Sequence, residues 1–437
     1  MSALAVVQAD SRAGRRAIER LLRRGEAILD EKTLRRASRI VQKVRRQGDR
    51  ALLGFARKLD GVGVGSVAEL ALPSIPPEPV DPGELPAGFA EALERAIAAV
   101  EHFHAPQVRA GYRLEDEDGT VLEERIRPLK RVGIYVPGGR AAYPSTVVMT
   151  VIPARLAGVQ EIAVATPPGS YRANPAIRFA LARLGVTEIW GMGGAHAIAA
   201  FAYGTETVRR VDKIVGPGNA WVTAAKKLVV GDVAIDGIAG PSEVVIVANP
   251  GDTDVDPVLL AADLLAQAEH DPQAAAVLIT VDKKLAKLVA REVDRQLADL
   301  STAPTARASL ERFGAAVVVA SLDEAVSLVE RLAPEHLQLV GKESEALVER
   351  ISAAGAIFLG SATPEVFGDY LAGPSHVLPT CGSARFASAL GVEDFLRRSH
   401  TVRFTPAAAA RRAAAAAALA DAEGLPAHAA SARRRLA

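Results

Sequence analysis

From residue 131 the chain repeats one pattern four times: a short apolar run, a Gly-rich turn, then an amphipathic helix. RVGIYVPGG leads into TVVMTVIPARLAGV, EIAVATPPG into NPAIRFALARLGV, EIWGMGG into AHAIAAFAYG, and VDKIVGPGN into AWVTAAKKLVV. Apolar runs this short, without polar alternation, suit strands covered on both faces, and the helices between them supply the cover. The alternation predicts a mostly parallel sheet with helices on either side. The pattern resumes near 243. EVVIVANP, AAVLITV, AAVVVAS and GAIFLGS read as strands, separated by helices such as DKKLAKLVAREVDRQLADL and DEAVSLVERL. A second α/β unit is expected there.

The flanking stretches are less regular. Residues 1 to about 60 carry Ile, Leu and Val at helical spacing between basic faces. GVGVGSVAELALPSIPPEPVDPGELP, rich in Gly and Pro, reads as loop or extended chain. AGFAEALERAIAAVEHFHAPQ reads as a helix, and YRLEDEDGTVLEERIRPL as a hairpin turning at Asp118-Gly119. The chain ends in an alanine-rich helix with few large apolar groups, suited to docking on something else, such as a second subunit. The expected fold class is α/β: two Rossmann-like doubly wound domains with an incomplete nucleotide fingerprint, plus a small N-terminal helical domain and a C-terminal tail domain. The expected partition is 1–25 as an N-terminal helical arm, 26–130 with 243–388 as one discontinuous α/β domain, 131–242 as the other, and 389–437 as the tail.

Bulk properties remove several classes of function. Net charge is +1 and aromatic residues are 4%, so neither a basic footprint nor a base-stacking platform for nucleic acid is present, and nothing draws the chain to an anionic membrane. The single cysteine, Cys381, allows no intrachain disulfide and no thiolate cluster for zinc, and reads as a buried or semi-buried thiol. The N-terminus does not read as a secretory signal, and no run of about 18 apolar residues exists to span a bilayer. A cytoplasmic location is expected.

Within LLAQAEHDP, Gln267 and His270 stand three apart and share a helix face. Two readings are open. The last turn of a helix lies near solvent, where a histidine suits the dipole. Alternatively, the two residues ligate a metal. Other chemistry-bearing residues also cluster at element ends. APEHL sets Glu335 beside His336, and GIAGPSE sets Ser242 at a Gly-Pro turn before a strand. FGDYLAGPSHVLPT sets Asp369 before His376, and AEGLPAH sets Glu423 before His428. Each has an ordinary structural explanation: a local pair, a cap, a solvated tail. His102 and His104, two apart on a helix, point to different sides and read as surface or core-edge groups. Taken together, imidazole, carboxylate and amide suit a borderline divalent ion such as zinc. Glu335 and His336 can supply two proton-transfer groups at one centre.

The turns GMGG (191–194) and GPGN (216–219) either tighten strand-to-helix connections or let a backbone approach a phosphate at a helix N-terminus. Neither matches the G-x-G-x-x-G fingerprint; in the first, His196 stands where the third glycine would fall. Nucleotide binding by 131–242 stays open on these grounds.

GIYVPGGRAAYPS, GMGGAHAIAAFAYGTETV, VDKIVGPGN, GDVAIDGIAGPSEVVIVA, LLAQAEHD, APEHLQL, GAIFLG, GDYLAGPSHVLPT, GVEDFLRRS and AEGLPAHAASARRRLA occur in this order, from roughly 130 to the C-terminus. In these motifs the chain resembles the histidinol dehydrogenase family. The resemblance implies oxidation of L-histidinol to L-histidine in two NAD-dependent steps through L-histidinal, by a zinc-dependent homodimer with shared active sites and one zinc per subunit. It implies Gln267, His270, Asp369 and His428 as zinc ligands, with His428 reaching the partner's site. Glu335 and His336 become the proton-transfer pair. Ser242, Gln267, His270, His336, Asp369, His376, Glu423 and His428 become substrate contacts. Tyr135, Asn219 and the position of His196 become NAD contacts. The family pattern has Gln where this chain has His196, so weaker or more pH-dependent NAD binding is expected. A related reading on the same scaffold is an NAD-dependent alcohol dehydrogenase such as sulfopropanediol dehydrogenase. The retained AEGLPAH tail favours an imidazole substrate.

Overall fold

The computed structural model describes residues 2–27, 29–73, 84–138, 143–249 and 255–436. The four apolar runs from 131 form parallel strands of one six-stranded sheet. Across that sheet the order is Ala71–Leu72, Glu188–Gly191, Glu161–Thr166, Arg131–Tyr135, Lys213–Val215, Ala234–Ile235. Only the edge pair Ala71–Leu72 runs antiparallel. The five strands from 131 onward thus lie in the order 3-2-1-4-5, that of doubly wound sheets. The order reverses between Arg131–Tyr135 and Lys213–Val215, which opens a crevice at their carboxyl ends.

The second sheet repeats this plan. Its order is Val6–Gln8, Ala315–Val318, Ala275–Thr280, Glu243–Ala248, His336–Val340, Ala356–Leu359, and all neighbours are parallel. Strands Glu243–Ala248 and Ala275–Thr280 are buried along their whole length, as their uninterrupted apolar sequences require. A third, antiparallel sheet joins the hairpin at Asp118-Gly119 to the tail, with Leu396–Arg403 paired along Val121–Pro128.

The expected partition needs correction at the N-terminus. Residues 1–25 are not a separate arm. Val6–Gln8 adds a strand to the second sheet, and Ala17, Ile18 and Leu21 of helix Arg12–Leu22 bury with Val245 and Val277 on its face. Residues 26–130 do not join that sheet. Helix Glu31–Phe55 packs Val41, Val44 and Leu52 against Ile198 and Phe201, and helix Phe89–His104 packs Leu93, Ile97 and Val100 against Val147 and Val151, both on the first sheet. An amphipathic stripe states that a helix will be covered, not which sheet will cover it.

The tail helices Pro406–Ala422 and Pro426–Arg433 bury alanines against each other: Ala417 and Ala420 meet Ala429. Leu419 remains 69% exposed. What most positions the site is the stretch 236–242. It leaves the carboxyl edge of the first sheet after Ala234–Ile235 and enters the amino edge of the second at Glu243.

Candidate active site

Between those two edges lies a cavity of about 480 Å³. Gly216, Asp236 and Gly237 line it from the first sheet, and Ser242, Glu335 and His336 from the second. His270, Glu365, Asp369, Tyr370 and His376 close the remaining wall. The cavity therefore uses the carboxyl end of one doubly wound sheet and the amino end of the other.

Local sequence explains how the central pair is presented. Helix Leu322–Leu332 stops at Ala333, which takes the left-handed conformation at φ 42°, and Pro334 cannot continue a helix. Glu335 is next, and His336 begins the strand His336–Val340. Gly355 is required beside it, because a Cβ there would sit 2.6 Å from Glu335 O. Gly216 meets the same need on the other wall: its φ is +110°, and a Cβ would lie 2.2 Å from Tyr135 O.

The Ser242 hydroxyl donates to Glu335 Oε2, which also accepts the Glu243 N–H at 3.1 Å. His336 Nδ1 lies 3.1 Å from Glu243 O. A carbonyl only accepts, so Nδ1 carries the proton and Nε2 is left with its lone pair. Burial, reinforced by the Glu243 charge, pushes the Glu335 carboxyl up to about 8. Burial holds the His336 imidazole down to about 4. Near neutrality the site therefore holds an unprotonated imidazole beside a carboxyl poised to titrate, a pairing suited to proton transfer. Burial likewise lowers His376, whose Nε2 is 3.3 Å from Ser145 Oγ.

Among the described residues, His270, Glu365 and Asp369 offer ligand atoms that all lie within 4.8 Å of one another. Gln267 is fully buried, with Oε1 3.5 Å from Ser242 Oγ and Nε2 without a partner. The orphaned, buried Glu365 Oε2 beside the His270 imidazole and the Asp369 carboxylate fits a divalent cation, toward which Gln267 can offer only its Oε1, because an amide nitrogen donates. Glu365 is absent from the sequence-based assignment. It is 3% exposed, its Oε1 is 3.5 Å from His336 Nδ1, and burial raises its carboxyl well above the usual range. The signal was available: Glu365 and Asp369 are four apart on the short helix Glu365–Tyr370 and so share a face.

The remaining assigned residues are dispersed. Tyr135, His196 and Asn219 do not line this cavity. The Tyr135 hydroxyl accepts the Gly194 N–H at 3.0 Å, and Asp60 Oδ2 accepts the Gly193 N–H at 3.2 Å. His196 does not present the open face expected of a cofactor contact. It is 1% exposed, its Nε2 lies 2.8 Å from Asp60 Oδ2, and its ring stacks on Phe55. Asn219 caps helix Ala220–Val229 through Oδ1. Glu423 and His428 lie exposed on the tail, and neither lines the cavity. Among the described residues no helix is long and apolar enough to cross a membrane.

A family model described as histidinol dehydrogenase matches residues 23–436. The chain is 48% identical over 405 residues to a histidinol dehydrogenase of Synechococcus sp., covering 91% of this chain and 90% of that protein. It is 47% identical over 404 residues to one of Geobacter sulfurreducens, covering 91% and 92%. A crystal structure of histidinol dehydrogenase from Elizabethkingia anophelis superposes with a TM-score of 0.87 at 30% identity, covering 100% of this chain and 98% of that one.

Proposed function

The chain belongs to the histidinol dehydrogenase family and is an oxidoreductase, and we propose that it oxidises L-histidinol to L-histidine in two NAD-dependent steps through L-histidinal. The observation that carries this reading is the adjacent pair Glu335 and His336, buried at one strand head, beside the cluster of His270, Glu365 and Asp369 in one cavity. One zinc per subunit is held by Gln267, His270 and Asp369, with His428 of the partner subunit as fourth ligand. When bound, zinc supplies a fixed anchor for the substrate's nitrogen atoms, and NAD supplies the hydride acceptor.

The chain's own residues do the rest. His336 Nε2, left free by the bond at Nδ1, takes the proton of the substrate hydroxyl as the carbinol carbon is oxidised. Glu335 takes a proton from the water that attacks the aldehyde, and the hydrate is then oxidised in the same pocket. Its raised pKa keeps this group near its titration point at working pH. Ser242 and His376 orient the substrate from the cavity wall, and Glu423 of the partner subunit contributes from outside. Tyr135 and Asn219 contact NAD at the carboxyl edge of the first sheet, and His196 acts there through Asp60 and the turn that Asp60 holds.

The homodimer with shared sites is supported by the exposed tail. Leu419, Leu425 and Leu436 are exposed there, beside Glu423 and His428. A cytoplasmic location fits a biosynthetic enzyme of this family. The test is NADH formation with limiting L-histidinol. Two NADH per histidinol, abolished by a chelator and restored by zinc, is the expected result. No NADH from histidinol would overturn the substrate, and a sulfonated diol would then be tried on the same scaffold.

A further inference from the structure

Glu243 opens the strand Glu243–Ala248, and its N–H, its carbonyl and one carboxylate oxygen all meet Glu335 or His336. Its N–H donates to Glu335 Oε2, and its carbonyl accepts from His336 Nδ1. Its carboxylate Oε1 accepts the backbone N–H of Glu335 at 3.1 Å and that of Cys381 at 2.8 Å. Its Oε2 accepts from Arg24 Nη1 at 2.6 Å. Arg24 comes from the short helical turn that follows Arg12–Leu22. Its Nη2 donates to the carbonyls of Pro241, Ser242 and Gln273 at 2.9, 3.0 and 3.1 Å. Arg24 and Glu243 are both more than nine-tenths buried.

We propose that Arg24 and Glu243 form a positioning clamp that sets the attitude of Glu335 and His336 for proton transfer. The proposal rests on the reading of that pair given above. A buried ion pair adds little net stability over a well-packed apolar replacement. This one instead fixes geometry. Arg24 grips the carbonyls of Pro241 and Ser242 at the entry to Glu243–Ala248 and that of Gln273 just before the neighbouring strand Ala275–Thr280, and Glu243 ties this entry to the head of His336–Val340. The N-terminal segment thereby reaches the chemistry without touching substrate, and its strand Val6–Gln8, parallel to Ala315–Val318, holds it in place. Displacing a reacting group by about 1 Å costs on the order of 100-fold in rate.

The test compares Arg24→Lys with Ile18→Ala in the zinc-loaded enzyme. Lysine keeps a charge opposite Glu243 and loses the planar fork that spans the carbonyls. Its kcat is expected to fall roughly 10- to 100-fold. Histidinol affinity, measured by calorimetry without NAD, is expected to stay within about threefold, the mark of a loss confined to the transition state. Ile18→Ala creates a cavity in the same N-terminal helix, lowers the melting temperature and leaves kcat within about twofold. Parental kcat for Arg24→Lys, or a loss only in proportion to melting temperature, overturns the clamp. Should Arg24→Lys not fold, the double variant Arg24→Met, Glu243→Gln removes both charges together; the same kcat loss is expected, and parental turnover overturns the proposal. Glu335→Gln and His336→Ala are assayed alongside. If these two turn over histidinol at the parental rate, the proton-transfer reading fails and the clamp with it. If they are inactive and the Arg24 variants are not, the clamp alone fails.

Discussion

His270 Nε2 and Asp369 Oδ2 stand 3.9 Å apart across the wall of the cavity. That is too long for a hydrogen bond. It is close to the largest separation two ligands of one zinc ion can have, since each bond is about 2.0–2.2 Å. Glu365 lies in the same cluster with an unpartnered oxygen. The arrangement leaves charge and lone pairs directed at one volume.

Metal removal is therefore expected to loosen the fold as well as stop turnover. Adding zinc at about 100 times its dissociation constant to metal-free protein should stabilise it by ~2.7 kcal/mol. Asp369→Asn should abolish most of this gain. Glu365→Gln should weaken zinc binding roughly 10- to 100-fold, the effect of a residue supporting the ligands from behind. Calorimetric titration with zinc measures both variants. Unchanged affinity in Asp369→Asn would remove that residue from the ligand set.

Glu335 gives a pH signature in the metal-free protein. Its carboxyl titrates near 8 in the fold against an ordinary 4.5. Between those values the folded chain holds a proton that the unfolded chain has released, so its contribution to stability is lost as pH rises. His336 acts in a lower window: depressed to about 4 from 6.5, it favours the fold above 6.5 and loses that contribution as pH falls. Glu335→Gln removes only the first effect. The variant should gain on the parent by ~2–4 kcal/mol between pH 5 and pH 8. Urea unfolding at the two pH values decides it, and a pH-independent difference would count against the buried carboxyl.

At the other edge of the cleft, His196 bonds Asp60, and Asp60 holds the Gly193 amide. His196→Gln replaces a titratable ring with an amide. NAD affinity of the variant is expected to be tighter, or less dependent on pH, than that of the parent between about pH 6 and 8. Equal affinities throughout, by fluorescence titration, would show that the ring does not govern the turn.

Shared sites predict complementation. His336→Ala and His428→Ala should each be inactive. Mixed and allowed to exchange subunits, they should recover up to roughly one quarter of parental activity, because random pairing leaves some sites with both wild-type residues. No recovery in a demonstrated heterodimer would mean that each site is built from one chain.

Some of this was legible in residue order. The parallel strands were, because strands buried on both faces must be apolar throughout, as EVVIVA and AAVLIT are. Ser242, Glu335, His336, His270, Asp369 and His376, each singled out from its local motif, line one cavity. Glu365 escaped because a carboxylate on a six-residue helix, read alone, resembles a solvated group. Arg24 and Asp60 escaped because their partners, Glu243 and His196, lie 219 and 136 positions away, and basic or acidic side chains on amphipathic helices ordinarily face water.

The sequence by itself determined the strand and helix repertoire, the parallel character of the sheets and the residue types of the site, since each is a local property written within a few turns of chain. The tertiary structure alone decided that Val6–Gln8 joins the second sheet while Glu31–Phe55 covers the first. It alone set the amino edge of one sheet against the carboxyl edge of the other. Those outcomes depend on which apolar faces fit together across hundreds of residues, and periodicity carries no record of that partner.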